Sequence, residues 1–396
     1  MLTIQDIQKA AENIKDHVHK TPLIYSNSFS KMTGAEVYLK AENLQKTGSF
    51  KVRGAFNKMI HIKDKVIAAS MGNHAQAVAF AAKRIGIHAK IVMPVTAPIV
   101  KEEATKSYGA EVVLYGESFK EALDYALSKK DHIFIHAFDD DNVIAGQGTI
   151  GLEIVEDLKG VDIVIVPVGG GGLISGISIA LKTLSPRTRL IGVQTESATS
   201  AYVSFREKKI SDKQPLPTLA DGIAIGRVGD KTFEIMNKNV DDIFLVGEDS
   251  IAMAILLFLE RKKLVVEGAG AVALAALLEN REKFIGKRIV LVVSGGNIDF
   301  TVIDRIIHKG LIKSERIGVF EVIIDDVPGS LHSLTGVIAS HRGNILDVVH
   351  SRLEGDLPIG KTKVTFVIET RSKEHFEGIL SELRRKGFEV RKRSEI

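Results

Sequence analysis

The sequence predicts an α/β fold with two lobes, each built on a parallel sheet flanked by helices, followed by a small ferredoxin-like domain. From about residue 35 to 315, short apolar runs alternate with stretches of helical periodicity. The runs are continuously apolar, which is typical of parallel strands that are buried on both faces. After a basic connector at residues 307–316, the order becomes strand, helix, strand, strand, helix, strand within about 80 residues.

Within the α/β part, the elements fall into two groups, one for each lobe. The first group comprises strands and helices at 66–70, 73–85, 89–94, 99–108 and 111–115. The second comprises 162–167, a glycine-rich loop with a helix that ends at residue 184, 190–193, 268–279 and 288–293. Ligands of open parallel sheets bind beyond the carboxyl ends of the strands, so we expect the site in a cleft there.

The last part of the chain predicts a βαββαβ domain. It begins with alternating apolar residues at 320–324, a turn at 325–329 and helical periodicity at 330–341. Strands at 344–352 and 363–370, a helix at 373–386 and a strand at 388–392 complete it. We therefore expect a first domain at 1–313, with a small lobe of roughly 50–147 inserted in the large lobe, and a second domain at 317–396.

Composition excludes several classes of function. The chain has 396 residues, a net charge of +4 and no cysteine. Disulfides, thiol catalysis and cysteine-ligated metals are therefore excluded, and the small, dispersed basic excess gives no indication of a nucleic-acid partner. The N-terminus lacks the apolar core of a signal peptide and no apolar run reaches the ~18 residues that span a bilayer, so we expect a cytoplasmic protein with no membrane partner.

Lys51 is the first candidate for chemistry. It follows Phe50, lies between Gly48 and Gly54, and stands where a helix is predicted to begin. Shielding from water and the positive end of a helix dipole both lower the pKa of a lysine and make it a better imine-forming nucleophile. Most lysines after a turn are solvated, so this position alone does not decide the function.

A run of four glycines is the second candidate. It follows an apolar strand directly and precedes a helix, as backbone donors that cradle a phosphate do. The spacing matches neither the dinucleotide fingerprint nor the nucleotide-triphosphate loop, so we expect a phosphorylated coenzyme or metabolite; the alternative is a turn needed only for close packing. The residues concerned are Gly169, Gly170, Gly171, Gly172 and Leu173.

Two further motifs stand at strand-to-helix or strand-to-loop junctions. In the first, free backbone donors near Ser70, Met71, Gly72 and His74 are candidates for binding a substrate carboxylate, and Asn73 for donating to a phenolate-type oxygen. The alternative is a plain N-cap, and His74 is expected to be packed and hydrogen-bonded rather than catalytic. The second motif, residues 294–297, offers the hydroxyl of Ser294.

A lysine, a phosphate cradle, an amide and a hydroxyl together fit pyridoxal 5′-phosphate (PLP), whose imine, phosphate, ring oxygen and ring nitrogen each need one such partner. The motifs at 48–55, 70–76, 169–173 and 293–297 resemble those of the fold type II PLP enzymes of the tryptophan synthase β type. Within that group the chain is most similar to the threonine dehydratases (threonine ammonia-lyases), with serine racemases as near relatives. Residues 317–396 resemble an ACT domain, an amino-acid-sensing module.

The resemblance implies a role for each of these residues. Lys51 would carry the cofactor as a Schiff base and Phe50 would pack on its ring. Asn73 would donate to the ring oxygen and Ser294 would meet the ring nitrogen, with Glu267 near that nitrogen. The backbone N–H groups of Gly169, Gly170, Gly171, Gly172 and Leu173 would hold the phosphate.

The resemblance also implies a cation site and an effector site. Glu196 matches a cation-ligand position of the racemases, but Tyr202 stands where a later carboxylate is expected, so a divalent ion is in doubt and a monovalent cation stays open. In the ACT-like domain, Pro328, Gly329, Asn344 and Ile345 are candidate contacts for an amino-acid effector. Each has an alternative role in a helix-entry turn or at a strand start. Isoleucine or valine would fit a biosynthetic enzyme, and other amino acids a catabolic one.

The activity implied is dehydration and deamination of L-threonine to 2-oxobutyrate and ammonia, and also of L-serine to pyruvate. Racemases have a serine base at the position of Met71, so we expect elimination without racemisation. β-Replacement of the cysteine synthase type, serine racemisation and a non-enzymatic amino-acid sensor remain the alternatives; residues 136–140 and 219–224 favour the dehydratases. Sheet edges of the last domain lead us to expect a homodimer or homotetramer.

Overall fold

The computed structural model describes residues 2–352 and 357–393. The chain divides into two units, Met1–Ile298 and Asp299–Ile396. The strands of the first unit are β1 (Leu23–Tyr25), β2 (Glu36–Ala41), β3 (Val66–Ala69), β4 (Ala89–Met93), β5 (Glu111–Leu114), β6 (Ile133–Phe134), β7 (Ile163–Pro167), β8 (Arg189–Thr195), β9 (Asp242–Val246) and β10 (Arg288–Val293).

These strands form the two predicted sheets. The larger sheet has the order β1-β2-β10-β7-β8-β9, and every neighbouring pair in it is parallel except β1 with β2. The smaller sheet has the order β5-β4-β3-β6, is parallel throughout, and lies within the predicted small lobe. Strands β3 and β7 are buried along their whole length, which explains their continuous apolar sequence.

Helices lie between successive strands. They are α1 (Ile4–Ile14), α2 (Asn27–Thr33), α3 (Lys51–Met59), α4 (Asn73–Ile85), α5 (Ile99–Ser107), α6 (Phe119–Ser128), α7 (Asp141–Asp157), α8 (Gly172–Leu184), α9 (Ser200–Glu207), α10 (Asp230–Asn239), α11 (Glu248–Leu257) and α12 (Gly268–Glu279). Helices α4 and α12 and strand β10 have the predicted bounds. No helix among residues 2–352 and 357–393 is long and apolar enough to cross a membrane.

The second unit confirms the βαββαβ pattern. After helix α13 (Phe300–Lys313) come β11 (Ile317–Asp325), α14 (Ser330–Ser340), β12 (Asn344–Ser351), β13 (Lys361–Glu369), α15 (Lys373–Arg385) and β14 (Glu389–Arg393). The strands form one antiparallel sheet in the order β12-β13-β11-β14. Phe320 and Phe366 stack in its core with ring centroids 5.3 Å apart.

The division between the units lies earlier than the predicted boundary at 313–317. It falls between Ile298 and Asp299, so helix α13 belongs to the second unit. The physical reason is apolar packing: Leu311 and Ile312 contact a small cluster formed by Ile317, Val319 and Val367. The basic residues of α13 made this segment resemble a connector in the sequence.

Candidate active site

Lys51 is the first residue of α3, as predicted. Its Nζ donates to the carbonyl oxygen of Ala137 at 3.0 Å and lies 5.2 Å from the ring centroid of Phe50. Burial lowers the pKa of Lys51 to about 8, and the nearby carboxyl of Glu267 opposes this shift only in part. The amine is therefore much more often unprotonated near neutral pH than that of a solvated lysine.

The Lys51 loop and the Ser294 loop are joined by backbone hydrogen bonds. Ser49 and Gly295 form an isolated antiparallel bridge, and the N–H of Phe50 donates to the carbonyl oxygen of Ser294 at 3.1 Å. Ser294 is only 2% exposed and directly follows β10. Two motifs about 240 residues apart in the sequence thus lie side by side.

Asn73 lies at the centre of a polar network. Its Nδ2 donates to both carboxylate oxygens of Glu267, at 2.8 and 3.0 Å, and its Oδ1 accepts from Asn297 at 2.7 Å. The N–H of Glu267 donates to the carbonyl oxygen of Gly295, which ties the network to the Ser294 loop. Burial raises the pKa of Glu267 to about 7, against the opposing effect of the Asn73 hydrogen bond. Glu267 was expected near a ring nitrogen; in the structure its carboxylate pairs with Asn73.

The motif that contains Asn73 forms the entry to α4. Gly72 caps this helix without a side-chain hydrogen bond, and its N–H donates to the Oγ of Ser70 at 3.2 Å. Met71 is half-buried and packs against the apolar core of the smaller sheet. Ser70, Met71 and Gly72 therefore stand at the carboxyl end of β3, where a substrate was expected.

His74 is packed and hydrogen-bonded, as expected from the sequence. Its Nε2 donates to the carbonyl oxygen of Ile135 at 2.9 Å, and the residue is 5% exposed. Burial lowers the pKa of His74 to about 3, so the ring is neutral at physiological pH. Only its backbone N–H, in the first turn of α4, is left to contribute to substrate binding.

The glycine loop, residues 169–172, connects β7 to α8. Gly171 has a φ of 95° and caps α8 without a side-chain hydrogen bond. A Cβ at Gly170 would overlap the ring of Phe138, so glycine is required there by packing. Gly170, Gly171, Gly172 and Leu173 are buried, while Gly169 is half-buried. Backbone N–H groups at the start of a 13-residue helix suit an anion.

A buried ionic cluster supports α3 two residues beyond Lys51. Arg53 donates to both oxygens of Glu42, at 2.8 Å each, and to both oxygens of Glu153, at 2.6 and 3.0 Å. Lys40 forms an ion pair with Glu153 at 2.5 Å. Burial alone would raise the pKa of Glu42, but the charge and hydrogen bonds of Arg53, together with Lys40 and Thr21, hold this pKa below its ordinary value. The local sequence indicates only that Arg53 lies on a mostly apolar helix face.

The chain matches a family model over most of the first unit. Residues 14–295 match the pyridoxal-phosphate dependent enzymes. The chain belongs to this family. Its cofactor is therefore PLP, and the residues present fit it: a buried lysine with a lowered pKa, a glycine loop at a helix start, the hydrogen-bonded side chains of Asn73 and Glu267, and the buried hydroxyl of Ser294.

Relatives of this PLP enzyme are similar over long stretches. L-threonine ammonia-lyase of Thermotoga maritima is 50% identical over 399 residues, which cover 99% of each chain. The structure of threonine deaminase isoform 2 from Solanum lycopersicum, in its processed form, has a TM-score of 0.74 and 39% identity, covering 77% of this chain and 87% of that one. The structure of maize serine racemase has a TM-score of 0.73 and 34% identity, and the match covers 79% of this chain and 99% of the racemase chain.

The expected cation site gains no support from the structure of this PLP enzyme. Glu196 is exposed at the end of β8. Within the described part of the chain, no three His, Asp or Glu side chains are grouped closely enough to hold a metal ion.

In the second unit of the enzyme, two of the four predicted effector contacts line a cavity. This cavity of about 380 Å³ is lined by Pro328 and Gly329, among others. Asn344 and Ile345 do not line it, because they lie at the opposite end of β12, where Asn344 donates to Glu369 at 3.2 Å. The sequence did not indicate the remaining lining residues, which include His350, Arg352 and Thr362.

Proposed function

We propose that this PLP enzyme is an L-threonine ammonia-lyase, which converts L-threonine to 2-oxobutyrate and ammonia and L-serine to pyruvate and ammonia. The observation that carries this proposal is the setting of Lys51, a buried amine with a pKa of about 8 beside the Asn73–Glu267 network. Support comes from the full-length similarity to a protein named L-threonine ammonia-lyase. PLP when bound supplies an electron sink for the bond broken at the substrate Cα.

Each end of the site has a residue suited to one part of the cofactor. Lys51 provides the amine for the covalent link, with Phe50 beside it. The N–H groups of the glycine loop and of Leu173 would hold the phosphate. With PLP bound, Ser294 would meet the ring nitrogen as a neutral hydroxyl, and Asn73 would give one amide hydrogen to the ring oxygen while the other stays on Glu267 and holds its orientation.

Lys51 also moves the proton of the substrate. As an unprotonated amine in the site, Lys51 would accept the hydrogen from the substrate Cα. A pKa of about 8 suits a base that must be unprotonated in part at neutral pH. His74 does not share this work, because its Nε2–H is committed to Ile135 and its pKa of about 3 keeps it neutral.

Met71 favours elimination over racemisation of the substrate. Racemisation needs a second proton donor on the face of Cα opposite Lys51. Met71 has no ionisable or hydroxyl group, and it is half-buried at the entry to α4. The enzyme therefore removes a proton on one face and has no partner at this position to return one on the other.

The test is a product assay on the purified enzyme with L-threonine and L-serine. We expect equal amounts of 2-oxo acid and ammonia, and no D-serine by chiral chromatography. O-Acetylserine with sulfide is the matched test for β-replacement and should give no cysteine. Formation of D-serine or of cysteine at a rate near that of ammonia release would contradict the proposal.

We further propose that the second unit binds an amino-acid effector in the cavity beside Pro328 and Gly329. Arg352 forms an ion pair with Asp326 at 3.0 Å at this cavity, and both can turn to the charged groups of an amino acid. Gly329 is the N-cap of α14 and makes no side-chain hydrogen bond, so N–H groups of the first turn would be available to a carboxylate in the cavity.

Calorimetry of the full-length enzyme with isoleucine and with valine tests this second proposal. Arg352→Gln should weaken binding by roughly tenfold or more, since a charged hydrogen bond is lost. Arg371→Gln, an exposed arginine outside the cavity, is the matched control and should bind as the wild type does. The proposed effector site would be contradicted if neither isoleucine nor valine gave heat, or if wild type and Arg352→Gln bound with equal affinity.

A further inference from the structure

Residues 136–139, which follow β6, form a tight turn held by a histidine. The Nδ1 of His136 accepts from the backbone N–H groups of Phe138 and Asp139, at 3.2 and 2.8 Å. Nδ1 must therefore be the unprotonated nitrogen of a neutral ring. Burial lowers the pKa of His136, which keeps the ring in this form.

One side of this turn contacts Lys51 and the other contacts the glycine loop. The carbonyl oxygen of Ala137 accepts from Lys51 Nζ at 3.0 Å. The next residue, Phe138, covers the loop. Its ring fills the space beside Gly170, and its carbonyl oxygen lies 2.9 Å from the point that a Cβ would occupy at Gly172. The two ends of the cofactor site are thus linked through neighbouring residues of one short segment.

Asp139 extends the link to helix α10. Its carboxylate accepts from three successive N–H groups, those of Asp230, Lys231 and Thr232, at 3.1, 3.0 and 3.1 Å. The residue before the helix, Gly229, has no side chain to do this. Asp139 therefore acts as the cap of α10 although it lies 91 residues earlier in the sequence.

Helix α10 in turn holds the glycine loop. The Oγ1 of Thr232 donates to the carbonyl oxygen of Gly170 at 2.6 Å, and the residue is fully buried. The N–H of Gly229 donates to the same carbonyl oxygen at 3.3 Å. These two bonds hold the peptide unit between Gly170 and Gly171, and with it the direction of the Gly171 N–H.

We propose that residues 136–139 are a strap that sets the glycine loop at a fixed place relative to Lys51, and that Asp139 is a positioning residue for the cofactor phosphate. The inference rests on the proposed phosphate role of the loop. It goes further, because it assigns the geometry of the loop to an aspartate, a histidine and a threonine that lie outside it.

The test compares PLP with pyridoxal, which has the aldehyde but lacks the phosphate. The full-length enzyme is freed of cofactor and titrated with each compound, and binding is followed by visible absorbance. In Asp139→Ala we expect PLP to bind about tenfold more weakly, the size of a lost helix cap, while pyridoxal binding stays within about twofold. Asp139→Asn, which keeps a capping oxygen, should retain most of the PLP affinity.

A second variant and a matched control complete the design. Thr232→Val removes the donor to Gly170 at nearly constant volume and should weaken PLP in the same direction, so it decides the matter if Asp139→Ala does not fold. Ser118→Ala removes the cap of α6, where Ser118 accepts from Glu121, and should change neither titration.

Unchanged PLP affinity in Asp139→Ala or in Thr232→Val would overturn the proposal. The proposal would also be overturned if PLP and pyridoxal binding weakened equally, or if Ser118→Ala weakened PLP binding as much as Asp139→Ala does. Either result would indicate a general loss of folded structure rather than a displaced phosphate loop. No amino-acid substrate enters these titrations, so their result is independent of whether L-threonine is the substrate.

Discussion

At Lys51, reactivity depends on how much of the amine is unprotonated. With a pKa of about 8, roughly a tenth of the amine is unprotonated at pH 7, some hundreds of times more than for a solvated lysine. Burial is the main cause, and Glu267, whose own pKa is raised to about 7, opposes it only weakly because it is itself partly protonated near neutral pH. Each charge favours the charged form of the other group, but burial outweighs this attraction at both.

The rate at which PLP recombines with the cofactor-free enzyme should follow this pKa. We expect the rate to rise about tenfold per pH unit below pH 8 and to level off above it, because only the unprotonated amine attacks. Stopped-flow absorbance from pH 6 to 10 measures it. A rate that continued to rise up to pH 10 would mean that Lys51 has the pKa of an ordinary lysine.

Met71 allows a gain-of-function prediction. Under the proposed function, Met71→Ser would offer a hydroxyl on the face of Cα opposite Lys51, so we expect the variant to form D-serine from L-serine while it still releases ammonia. Met71→Ala is the matched control, since it opens the same space without a proton donor, and should form none. D-Serine from the alanine variant, or none from the serine variant, would show that this position does not control the outcome.

At the scale of elements, the Arg53 cluster anchors α3 and with it Lys51. Arg53→Met leaves the carboxylates of Glu42 and Glu153 without their main partner in a buried place, and should cost about 3–5 kcal/mol of stability. Because the pKa of Glu42 is held below its ordinary value, its contribution is present above that value and is lost only as the pH falls through the lowered one.

Urea unfolding at neutral pH measures this effect. The matched control is Lys15→Met, which breaks an ion pair with Glu12 whose side chains are 62% and 74% exposed, and should leave the urea midpoint nearly unchanged. If Arg53→Met unfolded at the same urea concentration as the control, the cluster would not anchor α3.

Elements with a strong local signal could be predicted closely. Helix α4 is bounded by glycines at both ends, and Gly86 closes it with a φ of 84°. Strands β1 and β9 lie at the edges of the larger sheet, are only partly buried and were not predicted; β1 has three residues, which is too few for a clear pattern.

The same distinction holds for the site. The glycine loop, Asn73 and Ser294 follow strands and Lys51 begins a helix, positions where residue type and spacing are visible in the sequence, and the structure brings them into one unit. Arg53 lies 100 residues from Glu153 in the sequence. Asp139 lies at least 91 residues before the N–H groups of α10 that it accepts from. Such pairs depend on the tertiary fold, and no local pattern indicates them.

For the whole molecule, the edges of the second unit's sheet predict self-association. Strand β12 is an edge strand, and it exposes Leu346 and Val349 by 49% and 50%. Unpaired edges with exposed apolar residues tend to pair with a second copy. We therefore expect light scattering to give at least twice the chain mass of 43.1 kDa.

Val349→Lys should shift this equilibrium towards the monomer, because two copies of the edge would then bring lysines together. Val100→Lys, at a residue of the first unit that is 70% exposed, is the matched control and should leave the mass unchanged. A monomeric wild type, or equal masses for the wild type and Val349→Lys, would contradict association through this edge.

The most direct test of the proposed chemistry is formation of 2-oxobutyrate from L-threonine by the wild type and by Lys51→Ala, side by side and with saturating PLP. We predict steady turnover by the wild type. The rate of the variant should be lower by a factor of at least roughly 10³, since it lacks both the amine that binds the cofactor and the base at Cα. Failure of the PLP-loaded wild type to form 2-oxobutyrate, or equal turnover by Lys51→Ala, would contradict the assignment.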